Sequence, residues 1–320
     1  MQQMLVKRIL TACVQIFAVA TIVFFVMHSM PGRTAKLMLE LDGGSATEEQ
    51  IVALEEKLGL DQPISVQYVN WIRNLVTFQV GDSFYYSQPV TGFIAQRLPA
   101  TLELAVTSTA MAIVLGLFSG ILSALYHGKA ADKLVTGCAV LGFSIPNFVM
   151  GTLLILIFGL TLGVLPTSGY VKISRSLIMH LKFLVLPSLT LALGMSAGIA
   201  RVTRSSLLDE VNREYIQALR SKGLAPRLIF FRHALKNALI PIITVIGLHF
   251  GTLLGGTVVV EQIFNWPGLS SLVVESIQHR DYPMIQTAVV VIAAIYILVN
   301  NLIELSFGII DPKMKRGLNE

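Results

Sequence analysis

From residue 9 to residue 30 the chain passes through Leu10, Val14, Ile16, Phe17, Ile22, Phe24 and Phe25 without one Asp, Glu, Lys or Arg. About 20 such residues suffice for an α-helix to cross the hydrocarbon core of a bilayer. No other feature restricts the fold as much. Comparable runs return over about 98–126, 134–162, 183–200, 238–260 and 284–307. The composition agrees: 54% of the 320 residues are hydrophobic and 13% are charged, against about 25% charged in soluble domains. The expected fold class is an all-α polytopic membrane protein with six transmembrane helices.

The first run has a rival reading as a cleaved signal peptide. Such a peptide carries an apolar core of only about 7–15 residues that ends at small residues. Here the run is longer and stops at Met30-Pro31-Gly32-Arg33, so a retained span is expected. Orientation follows from where the cations lie. Lys7 and Arg8, Lys129 and Lys133, the eight cations of 201–236, and Lys313, Lys315 and Arg316 belong to segments on one side. The two short loops on the other side hold only Lys172, Arg175, Lys182 and Arg280, and the long loop 31–99 weighs little in the positive-inside rule. Both termini are therefore expected in the cytoplasm, with a cytoplasmic tail at 311–320. A net charge of +5, gathered near membrane edges, calls for no nucleic-acid partner. Cys13 and Cys138 sit inside apolar spans without metal-ligand spacing and read as packing residues.

Residues 31–99 form the longest polar segment, following a cytoplasmic N-terminus and first helix at 1–30. Both Thr47-x-x-Gln50 and Ser45-x-x-Glu48 fit a capping box, and Ile51, Leu54 and Leu58 then share a helix face before Gly59. Ile64, Tyr68, Trp71, Ile72 and Leu75 repeat the periodicity, with Trp71 as an interfacial anchor. The segment reads either as a platform for a soluble binding protein or as a cap over the outer ends of the spans.

The remaining five spans form a core over 100–310. The third is broken at Ser144-Ile145-Pro146-Asn147, where Pro146 frees a backbone carbonyl; in lipid such a break persists only beside protein or water. Pro146 and Asn147 are accordingly assigned to an inward, path-facing surface. The spacings Gly116-x-x-x-Gly120, Gly194-x-x-x-Gly198 and Gly247-x-x-x-Gly251-x-x-x-Gly255 mark places where helices approach closely. His249 lies well inside the fifth span. Two readings stay open for it: a group on a transport path, or a histidine hydrogen-bonded to a neighbouring helix. Glu304 and Glu103 lie nearer the ends of their spans and are ambiguous.

The segment 201–236 is the long polar interruption in this second half. It holds Arg201, Arg204, Arg213, Arg220, Lys222, Arg227, Arg232 and Lys236 against Asp209, Glu210 and Glu214. Ser206 followed by Asp209 suggests a helix start. Gly223 after Arg220 and Lys222 suggests a helix stop, and Pro226 can open the next helix. Two helices are expected to meet at Gly223. Glu214-Tyr215-Ile216, Ala218, Ser221-Lys222-Gly223-Leu224, then His233-Ala234-Leu235-Lys236-Asn237-Ala238 and Pro241, stand in the order of the EAA loop. That order resembles the permease subunits of binding-protein-dependent ATP-binding cassette importers, in their dipeptide, oligopeptide and nickel branch. Leu98 to Leu104 and the phrases Glu261 to Gly268 and His279 to Pro283 are similar to the same branch. One departure is Leu219-Arg220-Ser221, where the family often has Ala-Arg-Ala.

The resemblance implies a type I importer permease fold in the bacterial cytoplasmic (inner) membrane. It implies a heterodimer with a homologous permease, two cytoplasmic ATP-binding subunits, an extracytoplasmic binding protein, and a peptide, nickel or related solute as cargo. Glu214, Tyr215, Ala218, Lys222 and Gly223 would couple to an ATPase. No phosphate loop, nucleophile elbow or HExxH pair is present, so the chain is expected to be no enzyme, with neither metal nor cofactor of its own. The rival class is a self-sufficient secondary transporter or channel. A secondary transporter would need its own coupling-ion site and repeated spans.

Overall fold

The structure, a computed structural model, describes residues 2–29, 35, 36, 39 and 46–310, the last seven by backbone alone. The tail with Lys313, Lys315 and Arg316, the stop at Met30 to Arg33, the alternative cap Ser45 and the side chains of Leu58 and Glu304 lie outside the described residues. In chain order the helices are α1 (Gln2–His28), α2 (Glu48–Leu58), α3 (Ile64–Val76), α4 (Val90–Leu125), α5 (Ala130–Ser144), α6 (Asn147–Leu154) and α7 (Leu177–Val211). There follow α8 (Glu214–Ser221), α9 (Pro226–Leu228), α10 (Leu235–Gly256), α11 (Val258–Ile263), α12 (Leu269–Gln278) and α13 (Tyr282–Ile310). Wider π-helical turns prolong α6 through Ile155–Thr161 and join α9 to α10 through Ile229–Ala234.

Among the described residues five helical segments are long and apolar enough to cross a membrane, and the bent pair Ala130–Ser144 with Asn147–Thr161 makes a sixth if it is one broken span rather than a re-entrant loop. The bend is 108°. Its cause is local: Ile145 is extended (φ −82°, ψ 122°), as a residue before proline tends to be, and Pro146 has no N–H to continue the ladder. Helix resumes where the Met150 amide reaches the Pro146 carbonyl at 3.0 Å. Cys13 and Cys138, expected as packing residues, are both exposed on this chain. An apolar span hides only part of its circumference, and its composition does not say which part.

The chain divides into two compact units. The first comprises residues 1–101 and 267–298. Within it α2 begins on the capping box of Thr47 and Gln50 and ends on Gly59 at φ 67°. α3 lies against the C-terminal part of α1: Tyr68 packs edge-on and Trp71 at a tilt against Phe24, with ring centroids 5.2 and 5.5 Å away, and the Tyr68 and Thr21 hydroxyls are 2.7 Å apart. Val90, Ile94, Leu269, Leu272, Met284 and Ala288 form the core. Asp281 holds the preceding loop by accepting from the Ser83 hydroxyl and, at 3.1 Å, the Phe84 amide, while Glu275 accepts from Tyr86 and Arg97.

The second unit comprises residues 102–266 and 299–320. In it α7 packs against α10, α5 and α6 and, along a close seam, against α4. A Cβ on Gly116 would lie 2.6 Å from Ile199 Cβ, and one on Gly120 would lie 2.7 Å from the Ala200 carbonyl oxygen, so the helices touch backbone to backbone. At one end of this seam the buried His180 bridges the Val171 carbonyl, 2.6 Å from Nδ1, and the Glu103 carboxylate. Tyr170 packs edge-on against Trp266 beside it. Glu103, ambiguous in sequence, is thus the carboxylate partner of His180.

Candidate coupling elbow and translocation cavity

The helix start expected at Ser206 does not occur. α7 runs unbroken from Leu177 to Val211 and stops at Asn212. A Ser-x-x-Asp pattern caps a helix only where the chain before it is not already helical. Here the apolar helix simply continues, and the Ser205 hydroxyl bonds back to the Arg201 carbonyl at 3.1 Å. The break falls at Arg213, which is extended (φ −70°, ψ 149°), and α8 starts at Glu214.

The end of α8 matches expectation. Gly223 has φ 76°, its amide donates to the Arg220 carbonyl at 2.9 Å, and the Leu224 amide donates to the Leu219 carbonyl at 3.3 Å. That pair of bonds is a Schellman stop, which needs a residue tolerant of the left-handed region. Pro226 opens α9 after an extended Ala225. Two helices therefore meet at Gly223.

α8 is fastened on one face and open on the other. Ile216 is fully buried. The Tyr215 hydroxyl donates to Glu210 at 2.8 Å and accepts from Asn237 Nδ2 at 2.9 Å, so it ties the end of α7 to the start of α10. Arg213 Nε donates to the other Glu210 oxygen at 3.0 Å. Burial, and next the Glu210 hydrogen bond, push the Tyr215 phenol above its usual pKa. Glu214, Ala218, Lys222 and Gly223 lie on the open side, with Gln217 and Ser221 between them. Of the sequence-selected residues, then, Tyr215 alone turns inward. No local pattern marks Glu210: its role depends on Tyr215 and, through it, on Asn237, 22 residues beyond Tyr215.

A cavity of about 240 Å³ opens among α5, α6, α7 and α10. Phe143, Leu191, Met195 and Leu253 give it apolar walls; Asn147, His249 and Thr252 supply polar groups. Pro146 does not line it but, as the residue before α6, places Asn147 there after α5 has ended at Ser144. The spacing Gly194-x-x-x-Gly198 makes room for the polar side chains: a Cβ on Gly194 would sit 3.4 Å from Asn147 Oδ1, and one on Gly198 only 2.4 Å from His249 Nε2. Asn147 and His249, chosen separately in sequence, thus share one cavity. In the other glycine stripe, Gly247 meets Ile303 while Gly255 faces open space.

The sequence pattern described as "Binding-protein-dependent transport system inner membrane component" matches residues 112–316, and its companion N-terminal pattern matches residues 1–105. The chain belongs to that family. It is a permease of an ATP-binding cassette importer, in the peptide branch. A relative named "Probable peptide ABC transporter permease protein y4tP", from Sinorhizobium fredii, is 35% identical over 97% of this chain and 98% of its own length. "Glutathione transport system permease protein GsiC" of Escherichia coli is 37% identical with the same coverage. The family fold extends to solved structures. The inward-facing MetNI methionine ABC transporter aligns with a TM-score of 0.58 at 19% identity, over 70% of this chain and 99% of that one. An amino acid ABC transporter aligns with a TM-score of 0.52 at 18% identity, over 70% and 94%.

Proposed function

We propose that this permease forms half of a translocation path for a peptide or peptide-like solute and takes its motion from a cytoplasmic ATPase through α8. In this reading a homologous permease completes the path, a second ATPase serves that partner, and an extracytoplasmic binding protein delivers the cargo. The assembly sits in a bacterial inner membrane with both termini of this chain inside. The peptide class rests on the y4tP and GsiC relatives; nickel is the alternative cargo of the branch.

One observation carries the coupling role. A short helix, anchored through Ile216 and Tyr215, leaves Glu214, Ala218 and Lys222 open ahead of a glycine-closed stop. A helix presented so, between two long helices, can push on both. The ATPase's closure would then bias the permease between two states. The cavity beside His249 and Asn147 is the segment of the path that this chain contributes.

The test is purification of the complex in mild detergent with Ala218→Cys on the elbow. ATPase chains should co-purify and crosslink to position 218, and Gly223→Trp should leave them bound but uncouple hydrolysis from uptake. Uptake that continues without any ATPase would instead favour a secondary transporter. His249→Ala should slow uptake without loss of ATPase binding; unchanged uptake would remove His249 from the path.

A further inference from the structure

The turn between α4 and α5 contains a buried carboxylate that neither the elbow nor the cavity uses. Asp132 stands in the first turn of α5 and is 4% exposed. One of its oxygens accepts from the Ser123 hydroxyl, near the end of α4, and from Arg204 Nε at 2.7 Å. The other accepts from the Gly128 amide and from Arg204 Nη2, each at 2.9 Å. Gly128 presents its amide from the left-handed region at φ 78°. His127 Nδ1 lies beside this pair, 3.0 Å from Arg204 Nη2 and 3.3 Å from the same Asp132 oxygen. Donors from α4, the turn and α7 thus converge on one side chain. The two-pronged pairing with Arg204 fixes direction as well as distance.

The location gives this bridge a mechanical consequence. Arg204 lies two helical turns before Val211, where α7 ends, and α8 begins three residues after that end. Further along the same seam, Gly116 and Gly120 leave no space between α4 and α7. The intact fork and this close approach both oppose sliding of α7 past the α4–α5 turn.

We infer that Arg204–Asp132 is a positioning contact in energy coupling: it makes the α4–α5 turn travel with α7, so that a displacement at α8 reaches the second and third spans together with the fourth. This rests on the reading of α8 as the ATPase-facing helix.

The assembled importer, with Cys13 and Cys138 replaced by Ser, is spin-labelled at Lys129→Cys in the turn and Ser205→Cys on α7. Both positions are exposed. The interlabel distance is measured without nucleotide and after trapping with ATP and vanadate. In the otherwise wild-type chain it should be the same in both states. Asp132→Ala alone strands the Arg204 charge and should lower the yield. Asp132→Ala with Arg204→Met removes both charges, so the complex should assemble, retain ATP hydrolysis, and show a distance that shifts by several ångström on trapping. Arg204→Lys keeps the charge without the fork and should give an intermediate shift at wild-type yield. A wild-type distance that changes on trapping overturns the inference, as does a double variant whose distance does not. The crosslink from position 218 reports separately on the elbow: its absence defeats the α8 reading, whereas its presence with an unmoved double variant defeats the bridge alone.

Discussion

Gly120 and Gly137 are both helical glycines, yet a methyl group should act oppositely at the two. At Gly120 the added Cβ would meet a backbone oxygen at 2.7 Å and Thr203 Cβ at 2.6 Å, and neither can rotate away. Gly120→Ala should therefore force α4 and α7 apart at a cost of about 1–3 kcal/mol, seen as a lower melting temperature in detergent. At Gly137 nothing lies within 4 Å, so Gly137→Ala should be neutral or stabilising by about 0.5–1 kcal/mol through helix propensity. Equal effects at the two sites would contradict the seam as described. Tyr86 offers a second test at this scale. Burial, followed by its bond to Glu275, raises the phenol to about 12 from an ordinary value of 10.0. Because the folded value is the higher one, the stabilisation is intact below pH 10 and is lost as pH rises through about 12. Alkaline difference spectra of wild type against Tyr86→Phe should show a single phenol ionising near pH 12; a difference centred near pH 10 would mean the bond does not form.

Elements show how far local signals reach. Gly223 and Pro226 were legible as the stop and start around the elbow, because a left-handed position and a first-turn proline are determined by a few neighbouring residues. The start at Ser206 misled for the same reason: cap chemistry is local, whereas the continuation of α7 depends on the long helix that precedes it from Leu177. Tyr215 could be placed on α8, but its two partners lie on different helices. Tyr215→Phe leaves a Glu210 oxygen and Asn237 without this partner and should cost about 1–3 kcal/mol. The loss should loosen α8 in particular. Trypsin acting on inside-out vesicles should then cut faster after Arg220 and Lys222, while Gln217→Ala, on the open face, should leave the rate unchanged. Equal rates in Tyr215→Phe and wild type would mean that the hydroxyl does not fasten the helix.

At the scale of the whole molecule, sidedness depends on the bent third span. Gln88 and Lys222 are separated by α4, the α5–α6 pair and α7. If the pair crosses the membrane despite its 108° bend, the two residues face opposite sides; if it re-enters, they face the same side. With Cys13 and Cys138 replaced, an impermeant maleimide should label Gln88→Cys in intact cells and Lys222→Cys only after permeabilisation. Labelling of both in intact cells would remove the sixth span and the inside placement of the elbow together.

Hydrophobic runs and charge placement alone established that this chain is a helical membrane protein, because a bilayer demands about 20 apolar residues per crossing whatever those helices touch. The order of Glu214, Tyr215, Ala218, Lys222, Gly223 and Pro241 was enough to identify the family. Tertiary structure decided which glycines of each stripe meet a neighbour, that Asn147 and His249 share a cavity, and that Asp132, Ser123, Gly128 and Arg204 converge. Those outcomes depend on the rotation of each helix about its axis and on partners up to 102 residues apart, from Asn147 to His249, and no periodicity within a single helix encodes either.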